Sequence, residues 1–212
     1  MNKQMPSAVF LDRDGVINEE VGLLYRTDQL RLIPGAAQAI RKLNALNLPV
    51  IVVTNQSVVA HGLCTEEALA GIHEELKRQL AEHGASLSAI YYCPHHEDGE
   101  VAEYRRPCDD RKPGIGMLQA AAADFGFQLQ DCVLIGDRRG DMEAGKAAGC
   151  LTILVETGFA TPATCQPAVP DRVCRDLAEA VEFIAHNGDE DGRVGLNSFH
   201  DLGPSSGVGK VE

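Results

Sequence analysis

Five short apolar runs punctuate the chain, and between them apolar residues recur at spacings of three and four. AVFLD (8–12), PVIVVT (49–54), AIYYC (89–93), CVLIGD (132–137) and LTILVE (151–156) read as strands, with a weaker sixth at 172–174. Most are apolar on both faces, which predicts a sheet covered by helices on each side. After Pro34-Gly35 the spacing of Ala37, Ile40, Leu43 and Leu46 predicts a helix with that stripe buried. A second helix opens at Thr65, an N-cap with Glu66 and Glu67 in the first turn, buries Leu69, Ile72, Leu76 and Leu80, and stops at Gly84. Further helices are predicted near 114–125, 140–148 and 176–186. Strand and helix alternate throughout, so the expected fold is α/β, a Rossmann-like doubly wound parallel sheet in one domain over residues 1–187.

The end of the chain breaks this pattern. Residues 188–212 hold six glycines, few large apolar residues and no period, and read as a disordered tail. The competing reading is a docking segment around Leu196, Phe199 and Leu202.

Composition narrows the function. Of 212 residues 44% are hydrophobic and 24% charged, a globular balance, and a formal charge of -12 without a basic run argues against nucleic acid. No apolar run approaches the roughly 20 residues of a membrane span, and MNKQMPSAVFLD enters a strand without a signal-peptide core, so a cytoplasmic protein without membrane contact is expected. Seven scattered cysteines, an odd number, fit reduced thiols or a metal site better than a disulfide framework.

The chemistry gathers at strand ends, where open parallel sheets bind ligands. Asp12 ends the first strand and Asp14 follows just outside it, where the chain turns through Gly15; two close carboxylates ask for a cation or a shifted pKa. Asp137 ends the fourth strand and Asp141 completes G-D-x-x-x-D, an oxygen set suited to Mg²⁺. Thr54, followed by Asn55, Gln56 and Ser57, offers hydroxyl and amide groups, and Lys112, flanked by Arg111, brings positive charge beside a helix start. Each piece has a plain alternative: a D-x-D turn, a Thr-Asn loop start, a solvated lysine. Together, in this order, they form a phosphoryl-transfer set.

Asp12-Arg13-Asp14-Gly15, Thr54, Lys112 and the 137–141 motif resemble the haloacid dehalogenase-like phosphatases. Within them DRDGVIN, VVTNQS, YYCPHH and RKPGIGML are most similar to the D-glycero-D-manno-heptose 1,7-bisphosphate 7-phosphatases, over roughly residues 7–186. Histidinol-phosphate phosphatases share much of the frame and are the nearest alternative. The resemblance implies a minimal cap and action on a small phosphorylated sugar in cell-envelope heptose (lipopolysaccharide) biosynthesis; a monomer is expected. It implies Asp12 as nucleophile, Asp14 as acid and base, and Thr54 and Lys112 on the phosphoryl oxygens. Mg²⁺ is expected on the Asp12 side chain, the Asp14 backbone carbonyl and Asp137. Substrate contacts are expected from Glu20, Val21, Gly22, Leu23, Asn55, Gln56, Ser57 and Arg111, with Arg138 where the heptose enzymes carry Lys.

The resemblance also implies zinc on Cys-x-His and Cys-x-Cys in the loop after the third strand. Here Cys93, His95 and Cys108 match and Asp110 replaces the last cysteine; the plain reading is a packed loop with free thiols, and His96 reads as a surface residue. Val58-Val59-Ala60-His61-Gly62 departs from the family's arginine-bearing stretch, which bears on specificity. Two non-enzymatic readings remain. A phosphoacceptor receiver would place its nucleophile after the third strand, which here ends in Cys93, and a sugar-phosphate binding module has no use for Asp14.

Overall fold

The computed structural model describes residues 5–159 and 161–189, with the side chains of 187–189 left aside. The tail at 190–212, with its docking alternative, lies outside the described residues.

Six parallel strands form one sheet: β1 (Ala8–Leu11), β2 (Val50–Asn55), β3 (Ala89–Cys93), β4 (Cys132–Gly136), β5 (Leu151–Val155) and β6 (Arg172–Cys174), in the order β3-β2-β1-β4-β5-β6. The helices are α1 (Ala36–Ala45), α2 (Glu66–Glu82), α3 (Gly116–Phe125), α4 (Arg139–Ala148) and α5 (Leu177–Asp189). Alternation along β1 divides the core. Val9 and Leu11 face α1, α2 and α5, while Ala8 and Phe10 face α3 and α4. Each large apolar side chain buried this way contributes roughly 1.5–3 kcal/mol. β1, β2, β4 and β5 are covered on both faces; β3 and β6, at the edges, are only partly buried, as edge position requires.

The expected elements are present, with ends shifted by a residue or two. Thr65 caps α2, its Oγ1 accepting from Ala68 N at 3.1 Å, and Gly84 adopts φ +71° just beyond the last turn. One core expectation fails. Leu46 is 37% exposed because α1 ends at Ala45 and Asn47 turns left-handed at φ 58°, so the stripe outlasts the helix that would bury it.

The site follows from topology. Strands run outward from β1 in both directions, so the crevice opens at the carboxyl ends of β1 and β4, where Asp12 and Asp137 emerge.

Candidate active site

Asp12, Asp137 and Asp141 bring carboxylate oxygens within 4.8 Å of one another, all three side chains buried. Asp12 leaves β1, Asp137 leaves β4, and Asp141 lies in the first turn of α4, where its Oδ2 accepts from Arg138 N at 3.0 Å. The buried Lys112 ammonium lies 3.1 Å from Asp12 Oδ1 and 2.5 Å from Asp141 Oδ1, and donates to Val53 O at 2.7 Å. Asn55 fixes the lysine backbone, its side chain donating to Lys112 O at 2.9 Å and accepting from Lys112 N at 3.0 Å.

Three buried carboxylates against one ammonium would leave an excess of two negative charges if all were ionised. Burial first, then Asp141 and Asp14 against the opposing Lys112, push Asp12 up to about 6; burial, Asp12 and Asp141 push Asp137 up to about 7. For Lys112 the cost of burial is outweighed by Asp12 and Asp141, and its pKa is raised. Among the described residues Asp137 Oδ1 is buried without a hydrogen-bond partner, and its Oδ2 accepts only from Phe159 N, at 3.2 Å. A divalent cation supplies the missing charge and the missing partner, so the residues fit Mg²⁺.

Two glycines in the wall make room for Asp137. Gly15 has φ +78° and a Cβ there would lie 2.5 Å from Asp137 Oδ2; a Cβ at Gly158 would lie 1.8 Å from the same atom. Thr157 Oγ1 ties the two loops together by donating to Gly15 O at 2.6 Å.

Asp14 stands apart from the cluster, its side chain 20% exposed. Burial would raise its pKa, but Arg13, Asn18 and Gln56 overcome it and hold the carboxyl below the usual range. Thr54, at the end of β2, is 1% exposed and its hydroxyl accepts from Gln56 Nε2 at 2.8 Å.

The loop after Asp14 reaches the mouth. Glu20 accepts from Gly22 N at 2.6 Å and pairs with Arg138 at 2.5 Å, while Val21 and Leu23 are exposed. Arg111 donates to His95 O at 3.2 Å, which seats it beside the cysteine loop, and His61 meets His96 at 5.1 Å between ring centroids. Sequence reasoning did not single out Phe159. It is 66% exposed beneath the Arg138 guanidinium, which lies 4.9 Å from the ring centroid. Together with Glu19, Glu20, Pro34 and Thr157 it lines a groove of about 410 Å³. Its position straight after the Thr-Gly that leaves β5 was the available signal.

The second cluster lies beyond β3. Cys93 Sγ, His95 and Cys108 Sγ fall within 4.8 Å of one another, and Asp110 Oδ2 lies 3.6 Å from Cys108 Sγ. Burial pushes the Cys93 thiol up to about 12.

Family profiles agree with this geometry. A haloacid dehalogenase-like hydrolase profile matches residues 9–99, and a HAD-hydrolase-like profile matches 110–180. The chain is 43% identical to the D-glycero-D-manno-heptose-1,7-bisphosphate 7-phosphatase of Thermosynechococcus vestitus, covering 84% of this chain and 94% of that protein. It is 39% identical to the D-glycero-beta-D-manno-heptose-1,7-bisphosphate 7-phosphatase of Yersinia pestis, over 87% of this chain and 97% of that one. Among solved structures, the D,D-heptose 1,7-bisphosphate phosphatase from B. bronchiseptica, complexed with magnesium and phosphate, superposes with a TM-score of 0.76 at 34% identity. That match covers 84% of this chain and 98% of the other. With Asp12 directly after β1, a carboxylate crevice at the sheet's reversal point and relatives this similar over nearly their full length, the chain belongs to the haloacid dehalogenase-like hydrolases, in the family of heptose bisphosphate 7-phosphatases.

Proposed function

We propose that this protein is a Mg²⁺-dependent phosphatase that removes the 7-phosphate of D-glycero-D-manno-heptose 1,7-bisphosphate. The observation that carries the reading is the buried Asp12–Asp137–Asp141 cluster with its one ammonium and the unpartnered Asp137 Oδ1. The substrate is drawn from the relatives' activity.

An Asp12 oxygen attacks phosphorus, the bond to the sugar oxygen breaks, and Asp14, which must take up a proton in the substrate complex against its lowered pKa in the free protein, delivers that proton to the departing alkoxide. The resulting aspartyl phosphate on Asp12 is then hydrolysed by water, whose proton returns to Asp14. Lys112 and the Thr54 hydroxyl meet the phosphoryl oxygens, and Asn55 keeps Lys112 in place through its paired backbone hydrogen bonds. Mg²⁺, held by Asp12, Asp137 and the Asp14 carbonyl, supplies charge neutralisation when bound. Arg111, Arg138 and the 20–23 loop border the entrance and take the rest of the sugar phosphate.

The cysteine loop is read as a structural zinc site on Cys93, His95, Cys108 and Asp110, with no part in the reaction. Two soft thiols, an imidazole and a carboxylate form a competent tetrahedral donor set, and the separation of the first three fits one ion.

The test is phosphate release with Mg²⁺ from both heptose bisphosphate anomers, histidinol phosphate and common sugar phosphates. Release concentrated on one heptose anomer supports the assignment. Strong turnover of histidinol phosphate with none of the heptose esters overturns the substrate and keeps the reaction class.

A further inference from the structure

Two polar side chains beside the reacting carboxylates are committed to the protein in a way that substrate binding does not require. Gln56 is 2% exposed and Arg13 is wholly buried, although both sit at the edge of an open crevice. The Gln56 Nε2 donates to Asp14 Oδ2 at 2.9 Å and to Thr54 Oγ1 at 2.8 Å, while its Oε1 accepts from Arg13 Nη2 at 2.9 Å. Arg13 closes the circuit by donating to Asp14 from Nε at 3.2 Å and from Nη2 at 3.0 and 2.9 Å. Asn18 Nδ2 adds a donor on Asp14 Oδ1 at 2.8 Å.

The amide can sit only one way round. Flipped, it would set a carbonyl oxygen against the Asp14 carboxylate and an NH₂ against the Arg13 guanidinium, two repulsive contacts. Both amide hydrogens are therefore spent, one on Asp14 and one on Thr54. Because the Thr54 oxygen accepts from Gln56, its own proton remains to be donated to a phosphoryl oxygen. Because Asp14 Oδ1 accepts from Arg13 and Asn18 and its Oδ2 from Arg13 and Gln56, the plane of the carboxylate is fixed while 20% of the side chain stays open.

We propose that Gln56, oriented by Arg13, is a positioning residue that aims the Asp14 carboxylate and the Thr54 hydroxyl at the same phosphate ester, rather than a contact to the sugar. This rests on the phosphatase reading and deepens it. A misplaced acid loses its advantage for leaving groups that need a proton and costs little for those that do not, so the signature lies in leaving-group dependence.

The experiment compares the first-turnover rate for a sugar phosphate, which leaves as an alkoxide, with that for p-nitrophenyl phosphate, which leaves as a stable phenolate. In Gln56→Leu the alkyl ester should slow by about 10²-fold and the aryl ester by less than about tenfold. KM for both esters should rise together through Thr54. Arg13→Lys, which keeps the buried charge and loses the fork, should shift the ratio in the same direction. Should Gln56→Leu fail to fold, Gln56→Glu, of the same shape, is judged by the same ratio. Equal slowing of both esters, or no slowing, overturns the proposal while an active wild type keeps the phosphatase reading. A wild type that phosphorylates Asp12 from neither ester overturns both.

Discussion

The carboxylate crevice and the cysteine loop each gather metal-binding side chains within 4.8 Å, yet they are built in opposite ways. In the crevice the groups leave neighbouring parallel strands and the first turn of a helix, every side chain is buried, and two glycines admit the Asp137 carboxylate where any Cβ would collide. In the loop only Cys93 is buried; His95 and Cys108 are half-exposed and Asp110 is on the surface. The first site is held by the core whether or not a cation is bound, whereas the second sits in a loop tied down by hydrogen bonds such as those of Glu100 N and Val101 N to Ala60 O, to which the proposed zinc would add a further closure. A reaction centre that must be placed to a fraction of an ångström belongs on strand ends, where the core fixes it.

Emptying the two sites separately should expose the contrast. Asp12→Asn is expected to lower kcat by at least about 10⁴-fold without loss of thermal stability, measured by phosphate release alongside calorimetry. Lys112→Met leaves the buried carboxylates without their counter-charge and should destabilise the fold by about 3 kcal/mol, in part restored by Mg²⁺, as read from denaturant midpoints. In the loop, Asp110→Ala should lower bound zinc, measured by elemental analysis after dialysis, and lower the melting temperature while kcat on the sugar phosphate stays within about twofold; Asp110→Cys should tighten zinc instead. A fall in kcat matching that of Asp12→Asn would erase the division of labour.

The smallest effect lies on the seam between the regions. His73 packs on Tyr92 of β3, whose hydroxyl donates to Glu66 at 2.6 Å, and Tyr104 of the loop donates to the same carboxylate at 2.8 Å. Burial, with the Arg13 charge behind it, pushes His73 from 6.5 down to about 3. Unfolded chains bind a proton below 6.5 and the native imidazole does not, so the His73 contribution is complete above that pH and is lost below it, by about 1.4 kcal/mol per unit at most, against the opposite slope from the raised Asp12 and Asp137 carboxyls. Since His73 Nε2 has no hydrogen-bond partner among the described residues, His73→Leu should remove this acid loss with little change at neutral pH, in urea titrations from pH 7 to 5.

How much of this could be read from the chain follows from the same contrast. The apolar runs gave the six strands, and because a parallel sheet places its ligands at strand ends, Asp12, Thr54 and Asp137 could be assigned to one crevice from order alone. Lys112 needed the motif, since nothing local separates a buried lysine from a solvated one. Periodicity extended α1 to Leu46 because it counts spacing and is blind to where hydrogen bonding stops. Arg13 reads as a spacer between two aspartates, and Gln56 as a substrate contact beside Thr54; their directions are set by a long-range circuit between the ends of β1 and β2 that has no signature in local sequence. Phe159 escaped because its value comes from the partners above and beside it, Arg138 and the Asp137 carboxylate, each far away in the chain.

The most direct test of the account is to mix the protein with Mg²⁺ and heptose bisphosphate, quench in acid within the first turnover, and measure intact mass and the modified peptide. The account predicts one phosphoryl group, carried on Asp12, absent from Asp12→Asn and lost as free phosphate appears. Phosphate release at the wild-type rate from Asp12→Asn, or a phosphoryl group on any other residue, would contradict it.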